Sequence, residues 1–169
     1  MKAFFFLALL APVFAMPANQ GCNAGQASAV TGGGGAAGNA TCAMTKAHLE
    51  KGIKANLKIQ AQELQGIQTL QAQLDTPDFN ATQTKVLDIQ TRGIEIRAKN
   101  QKLAKDISSP ALDGLNIVEG AQVKEKDQVT GLKGQAAADK DTLDTLVKEV
   151  MDGTAQNKKN LDAAKSQKC

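Results

Sequence analysis

The chain predicts an all-α fold: an antiparallel bundle of three or four long amphipathic helices behind a disordered, Gly-rich N-terminal arm. Three observations carry that expectation. Apolar residues recur every three or four positions from Leu49 to near the C-terminus, the period of one helix face. No run alternates apolar and polar residues as a half-buried strand requires. Beyond the first fifteen residues Phe79 is the sole aromatic side chain, so the core must be Leu, Ile, Val and Ala, which suits helix packing.

Residues 1–15 read as a secretory signal. Lys2 is followed by an apolar run through Phe4-Phe5-Phe6-Leu7 to Leu10, and Val13-Phe14-Ala15 offers small residues at the cleavage positions. The run is shorter than the roughly 20 residues needed to span a bilayer. Residues 16–45 follow as a flexible Gly/Ala-rich arm. Seven of the fifteen glycines lie between Gly21 and Gly38, and such a segment gains little from burial while losing much entropy on ordering. A phosphate-cradling loop would need a preceding strand and a Gly-Lys-Ser/Thr sequence, and neither is present.

The bundle domain is expected over residues 46–169. In the first helix, from about Lys46 to Asp75, the apolar stripe is Leu49, Ile53, Leu57, Ala61, Leu64, Ile67 or Leu70, and Leu74. Its outer face is assigned to glutamines, Gln60 among them. Thr76-Pro77 reads as a cap followed by Pro at a first helical position. The second helix carries Phe79, Val86, Ile89, Gly93, Ile96, Leu103 and Ile107, with Asn100 taken as a solvated edge, and stops at Ser108-Ser109-Pro110. Leu115, Val118, Val129, Leu132, Ala136, Leu143, Leu146 and Val150 continue the period. That stretch reads as one very long helix, since the apolar phase runs on unchanged, or as two helices. Gly131 and Gly134 each weaken a helix by about 1 kcal/mol relative to Ala, and a break between them is the reading adopted. Similarity among the helices is confined to their period, and no sequence repeat is evident.

Three cysteines, Cys22, Cys42 and Cys169, meet oxidising conditions in a secreted protein. In a four-helix up-down bundle the start of the first helix meets the end of the last, and Cys42–Cys169 closes the domain. With three helices those ends lie roughly 40 Å apart, about 27 residues at about 1.5 Å each, and Cys22–Cys42 becomes the local alternative. The expectation adopted is four helices with Cys42–Cys169, leaving Cys22 to link two chains into a disulfide-bonded dimer. Asn39-Ala40-Thr41 and Asn80-Ala81-Thr82 match the N-glycosylation pattern, so Asn39 and Asn80 are candidate acceptors.

Catalytic, cofactor and metal sites are not expected. His48 is the single histidine and has no acidic cluster or second His for a metal. Asp139-Lys140-Asp141 starts like a calcium loop but has Asp144 where Gly is required and Val150 where Glu is required; an acidic helix start is the better account. No nucleophile elbow or carboxylate dyad is recognisable. The 20 basic residues, one of them Lys2, are interleaved with 17 acidic ones, without the basic run that would mark a nucleic-acid binder. No second apolar segment of membrane-spanning length follows the leader, so no transmembrane segment is expected.

Met1 to Ala15 together with Cys22, Cys42 and Cys169 resemble the small secreted proteins of filamentous fungi, many of them candidate effectors. The helices from Leu49 to Leu161 are similar to fungal helical proteins that coat hydrophobic surfaces or sit in cell walls. The first resemblance implies a secreted, extracellular, non-enzymatic protein engaging an extracellular protein of a host or microbe. The second implies a structural role against a cell-wall component or an apolar surface.

Overall fold

The computed structural model describes residues 34–169, with side chains from Gly38 onward. Four helices and no strand occur among the described residues: α1, Gly34–Ala72; α2, Phe79–Asp106; α3, Leu112–Gly131; α4, Ala136–Ser166. Each packs on its two neighbours in chain order, and α4 closes the ring on α1. This is the up-down topology that short connections impose on antiparallel helices.

At one end the two turns lock together. Asp75 N–H donates to the Gly134 carbonyl at 2.8 Å, and Ala136 N–H donates to Asp75 Oδ1 at 3.2 Å. The Asp139 carboxylate accepts from the backbone N–H groups of Lys133, Gly134 and Gln135 at 2.7, 2.6 and 3.2 Å. That is the role of its acidic position: it gathers the backbone donors of the turn that leads into α4. Gly134 has φ +77°, and a Cβ there would sit 2.9 Å from the Phe79 ring, so Gly is needed for both conformation and space. The break between α3 and α4 thus falls where the paired glycines place it. Thr76-Pro77 opens the turn rather than the helix, because Asp78 holds the N-cap position and Thr76 bonds back to the Gln73 carbonyl.

At the other end Cys42 and Cys169 are joined, with Cα atoms 5.5 Å apart. Lys46 Nζ reaches across to the carbonyls of Lys165 and Gln167, 2.8 Å each, capping the end of α4 with a cation. These ties hold Cys42 and Lys46 of α1 on the end of α4, and α1 begins at Gly34, twelve residues earlier than the periodicity marks. Residues 34–45, expected in the arm, are helical, and the rest of the arm lies outside the described residues, as do Cys22 and the leader.

Two apolar clusters form the core. Ile67, Leu70, Phe79, Val86, Val129, Leu132, Leu143, Leu146 and Val150 pack beside the locked turns. Leu49, Ile53, Ala104, Ala111, Leu115 and Ala164 pack beside the disulfide. Burial in α2 runs one position off the apolar stripe: Ile89, Ile96, Leu103 and Ile107 are half-buried, whereas Gln90, Arg97, Asn100 and Ala104 are buried. Asn100 is 2 % exposed, which corrects its reading as a solvated edge. In α1, Gln60 is buried and Ala61 is exposed, so one glutamine of the outer face belongs to the core.

The buried positions reveal an internal repeat. Gly52, Gln60, Glu63 and Leu70 of α1 recur at one constant offset as Gly114, Gln122, Glu125 and Leu132. Gly93, Asn100 and Ala104 of α2 recur at another as Gly153, Asn160 and Ala164. Burial follows the same offsets, Leu49 with Ala111, Ile53 with Leu115, Ile67 with Val129 and Val86 with Leu146. The bundle is therefore two equivalent helix hairpins related by a pseudo-two-fold, which corrects the reading of no repeat.

Candidate functional site

Between the apolar clusters the core is polar. Asn56, Gln60 and Glu63 from α1, Gln90, Arg97 and Asn100 from α2, Gln122 and Glu125 from α3, and Asn157 and Asn160 from α4 are all buried there. None is more than 2 % exposed. Asn56 is the hub. Its Oδ1 accepts from Arg97 Nη2 at 2.9 Å and from Asn157 Nδ2 at 2.7 Å, while its own Nδ2 donates to the Gly93 carbonyl at 2.9 Å. Asn157 Nδ2 also donates to Gln60 Oε1, and Arg97 Nη1 to the Val118 carbonyl. A single layer thereby ties all four helices in one register, a role that buried polar groups serve when their partners are in place.

Glycines make room for this layer. A Cβ at Gly52 would overlap the Asn100 amide, and one at Gly114 would overlap the Asn160 amide. At Gly93 it would come within 3.4 Å of Gln122, and at Gly153 within 3.2 Å of Gln60. Each glycine opens a slot in one helix for a polar side chain of a neighbour.

The layer is electrostatically tense. Burial pushes the Glu125 carboxyl up to about 8, with the Glu63 and Glu149 charges adding to it and Arg97 and Lys124 opposing. Burial also raises Glu63, against a hydrogen bond from Gln90 and the Arg97 charge, and lowers Arg97 to about 10. Glu63 Oε2, Gln90 Oε1, Arg97 Nε, Asn100 Nδ2 and both ends of the Gln122 amide lack a hydrogen-bond partner. Groups left this way cost free energy and call for an explanation.

Above the layer the two hairpins differ. Over α1 and α2, a groove of about 300 Å³ is lined by His48, Lys51, Gly52, Ala55, Ile96, Lys99, Asn100 and Leu103. Over α3 and α4 the matching ground is filled from within: Gln156 lies on Gly114 and donates to Asn160 Oδ1 at 2.9 Å. A neighbouring hollow between the same helices is bridged by Lys124 and Glu149 at 2.6 Å.

Of the residues singled out in sequence, Cys42 and Cys169 come together. Asn39 is exposed on the first turns of α1 and Asn80 is exposed at the start of α2. His48 is exposed at the mouth of the α1–α2 groove, and no group of three metal-ligating side chains occurs among the described residues. No helix among the described residues is long and apolar enough to cross a membrane. Sequence reasoning missed the polar layer; its visible signal was the recurrence of Gly52, Gln60 and Glu63 as Gly114, Gln122 and Glu125. Comparison with family models, with curated proteins and with solved structures gave no match.

Proposed function

We propose that this is a secreted, non-enzymatic binding protein that acts outside the cell on a host or microbial partner, in the manner of effector-like proteins. The observation that carries the reading is the Cys42–Cys169 bridge. A bond joining the first helix to the last residue persists where thiols are oxidised, and it fits the leader-like residues 1–15. The groove over α1 and α2, with its unpartnered Asn100 amide, gives the bundle a surface on which to bind.

The second reading, a structural cell-wall or hydrophobic-surface protein, draws on Met44, Ile117, Val123 and Met151, which are 50–65 % exposed. Expression of the whole chain in a filamentous fungus, followed by separation of culture filtrate from wall extract, distinguishes the two. Recovery of the disulfide-bonded chain from the filtrate is expected. Retention in the wall favours the structural role, and retention in the cell overturns both.

A further inference from the structure

The two hairpins serve as internal controls for each other. At the matching positions, Gln156 and Asn157 in α4 satisfy the Asn160 amide, accepting or donating on both its ends. In α2 those positions are Ile96 and Arg97. Arg97 turns to Asn56 and Val118, so Asn100, 2 % exposed, keeps an unpartnered Nδ2. Isoleucine in place of Gln156, and Leu103 in place of Ala163, leave an open apolar groove where the second hairpin fills its own.

Charge differs in the same place. Lys51 stands where the second hairpin has Asp113, and it faces Lys99 across the groove. Neither lysine is in an ion pair among the described residues, unlike Lys54 and Lys102 nearby. No carboxylate lines the groove. Lysine stems extend its apolar walls while their ammonium groups stay at the rim.

The geometry points to a binding site for an aliphatic carboxylate in the α1–α2 groove. The occupant is a free medium-chain fatty-acid anion, its tail on Ala55, Ile96 and Leu103 and its head among Lys51, Lys99 and the Asn100 amide. The chemistry follows from the lining: an apolar floor takes an alkyl chain, two unpaired cations select an anion, and the Asn100 amide, whose Oδ1 lies against Gly52, turns its unpartnered Nδ2 to the head when the ligand binds. About 300 Å³ sits at the small end of ligand sites, which favours one short chain over a diacyl lipid. This inference rests on the binding-protein reading and gives it a ligand.

The test is a two-dimensional NMR titration of the ¹⁵N-labelled, disulfide-bonded chain with dodecanoate, kept below its micellar concentration. Saturable shifts are expected at the Asn100 side-chain amide and the Gly52 backbone, with Gly114 and Asn160 unmoved. Ile96→Gln, which copies Gln156, should weaken binding about tenfold or more, an effect of about 1.4 kcal/mol per factor of ten. Lys51→Glu with Lys99→Glu should do the same, while Ile117→Gln in the other hairpin should leave affinity unchanged. An unaltered helical melt for each variant separates lost binding from lost folding. Equal shifts in both hairpins, equal affinity for dodecanol, or binding only to phosphatidylglycerol vesicles would overturn the assignment. So would silence up to millimolar dodecanoate in a chain that still engages an extracellular protein, which would leave the binding-protein reading intact.

Discussion

Asn56 accepts from both Arg97 and Asn157, so its replacement strands two buried donors at once. Leaving such groups unpaired costs about 1–3 kcal/mol each. Asn56→Leu should therefore destabilise the bundle by about 2–4 kcal/mol in urea unfolding, despite adding apolar volume; a neutral result would mean that the layer repacks without its hub. The Gly52–Asn100 pair gives a sign reversal. Ala normally gains about 1 kcal/mol over Gly inside a helix, but here its Cβ overlaps the Asn100 amide, and overpacking costs about 1–3 kcal/mol. Gly52→Ala should destabilise the native chain and stabilise one already carrying Asn100→Ala. A double-mutant cycle reads the difference, and additivity of the two changes would remove the slot from the account.

At the scale of the helices, the layer makes stability fall as pH rises. Glu125 has a folded value of about 8 against about 4.3 when unfolded, so between those values the folded chain binds the extra proton. Its contribution is full below about 4.3 and is lost as pH climbs to about 8; Glu63, raised by burial, acts in the same direction. Thermal melts followed by helical dichroism should give a higher midpoint at pH 5 than at pH 8.5, and Glu125→Gln should flatten the profile. A native chain already flat across that range would show both carboxyls to be solvated. In the turn joining α3 to α4, Gly134→Ala should cost about 2 kcal/mol, since left-handed backbone disfavours a side chain and Phe79 occupies the space.

Those same residues set what the sequence made legible. The choice of four helices over three rested on the bridge as well as on spacing. The all-α bundle, the break at Gly131 to Gly134 and the buried Leu115, Val118, Leu143, Leu146 and Val150 followed from spacing, because apolar burial leaves a periodic trace. Arg97, Gln60 and Glu63 did not, since charged and amide side chains are mostly exposed and periodicity assigns them to solvent. Their burial depends on pairing with partners on other helices and on glycine slots opposite. That information is three-dimensional, and only the recurrence at Gly114, Gln122 and Glu125 carried a hint of it. The α1–α2 groove was still less visible, because its meaning lies in the contrast with the second hairpin.

For the whole molecule, the bridge between Cys42 and Cys169 spans a sequence separation of 127. Chain-entropy estimates assign such a loop about 4–5 kcal/mol, so Cys42→Ser with Cys169→Ser should lower stability by about that amount in urea unfolding. A loss below about 1 kcal/mol would mean that the helices hold their ends together without it. The bridge and the proposed secretion are tested at once by mass-spectrometric peptide mapping, without reduction, of the protein recovered from culture filtrate. The account predicts a chain beginning at Met16 with a linked Cys42–Cys169 peptide and Cys22 outside that link. A Cys22–Cys42 peptide, or a reduced chain found only inside the cell with residues 1–15 still attached, would contradict it.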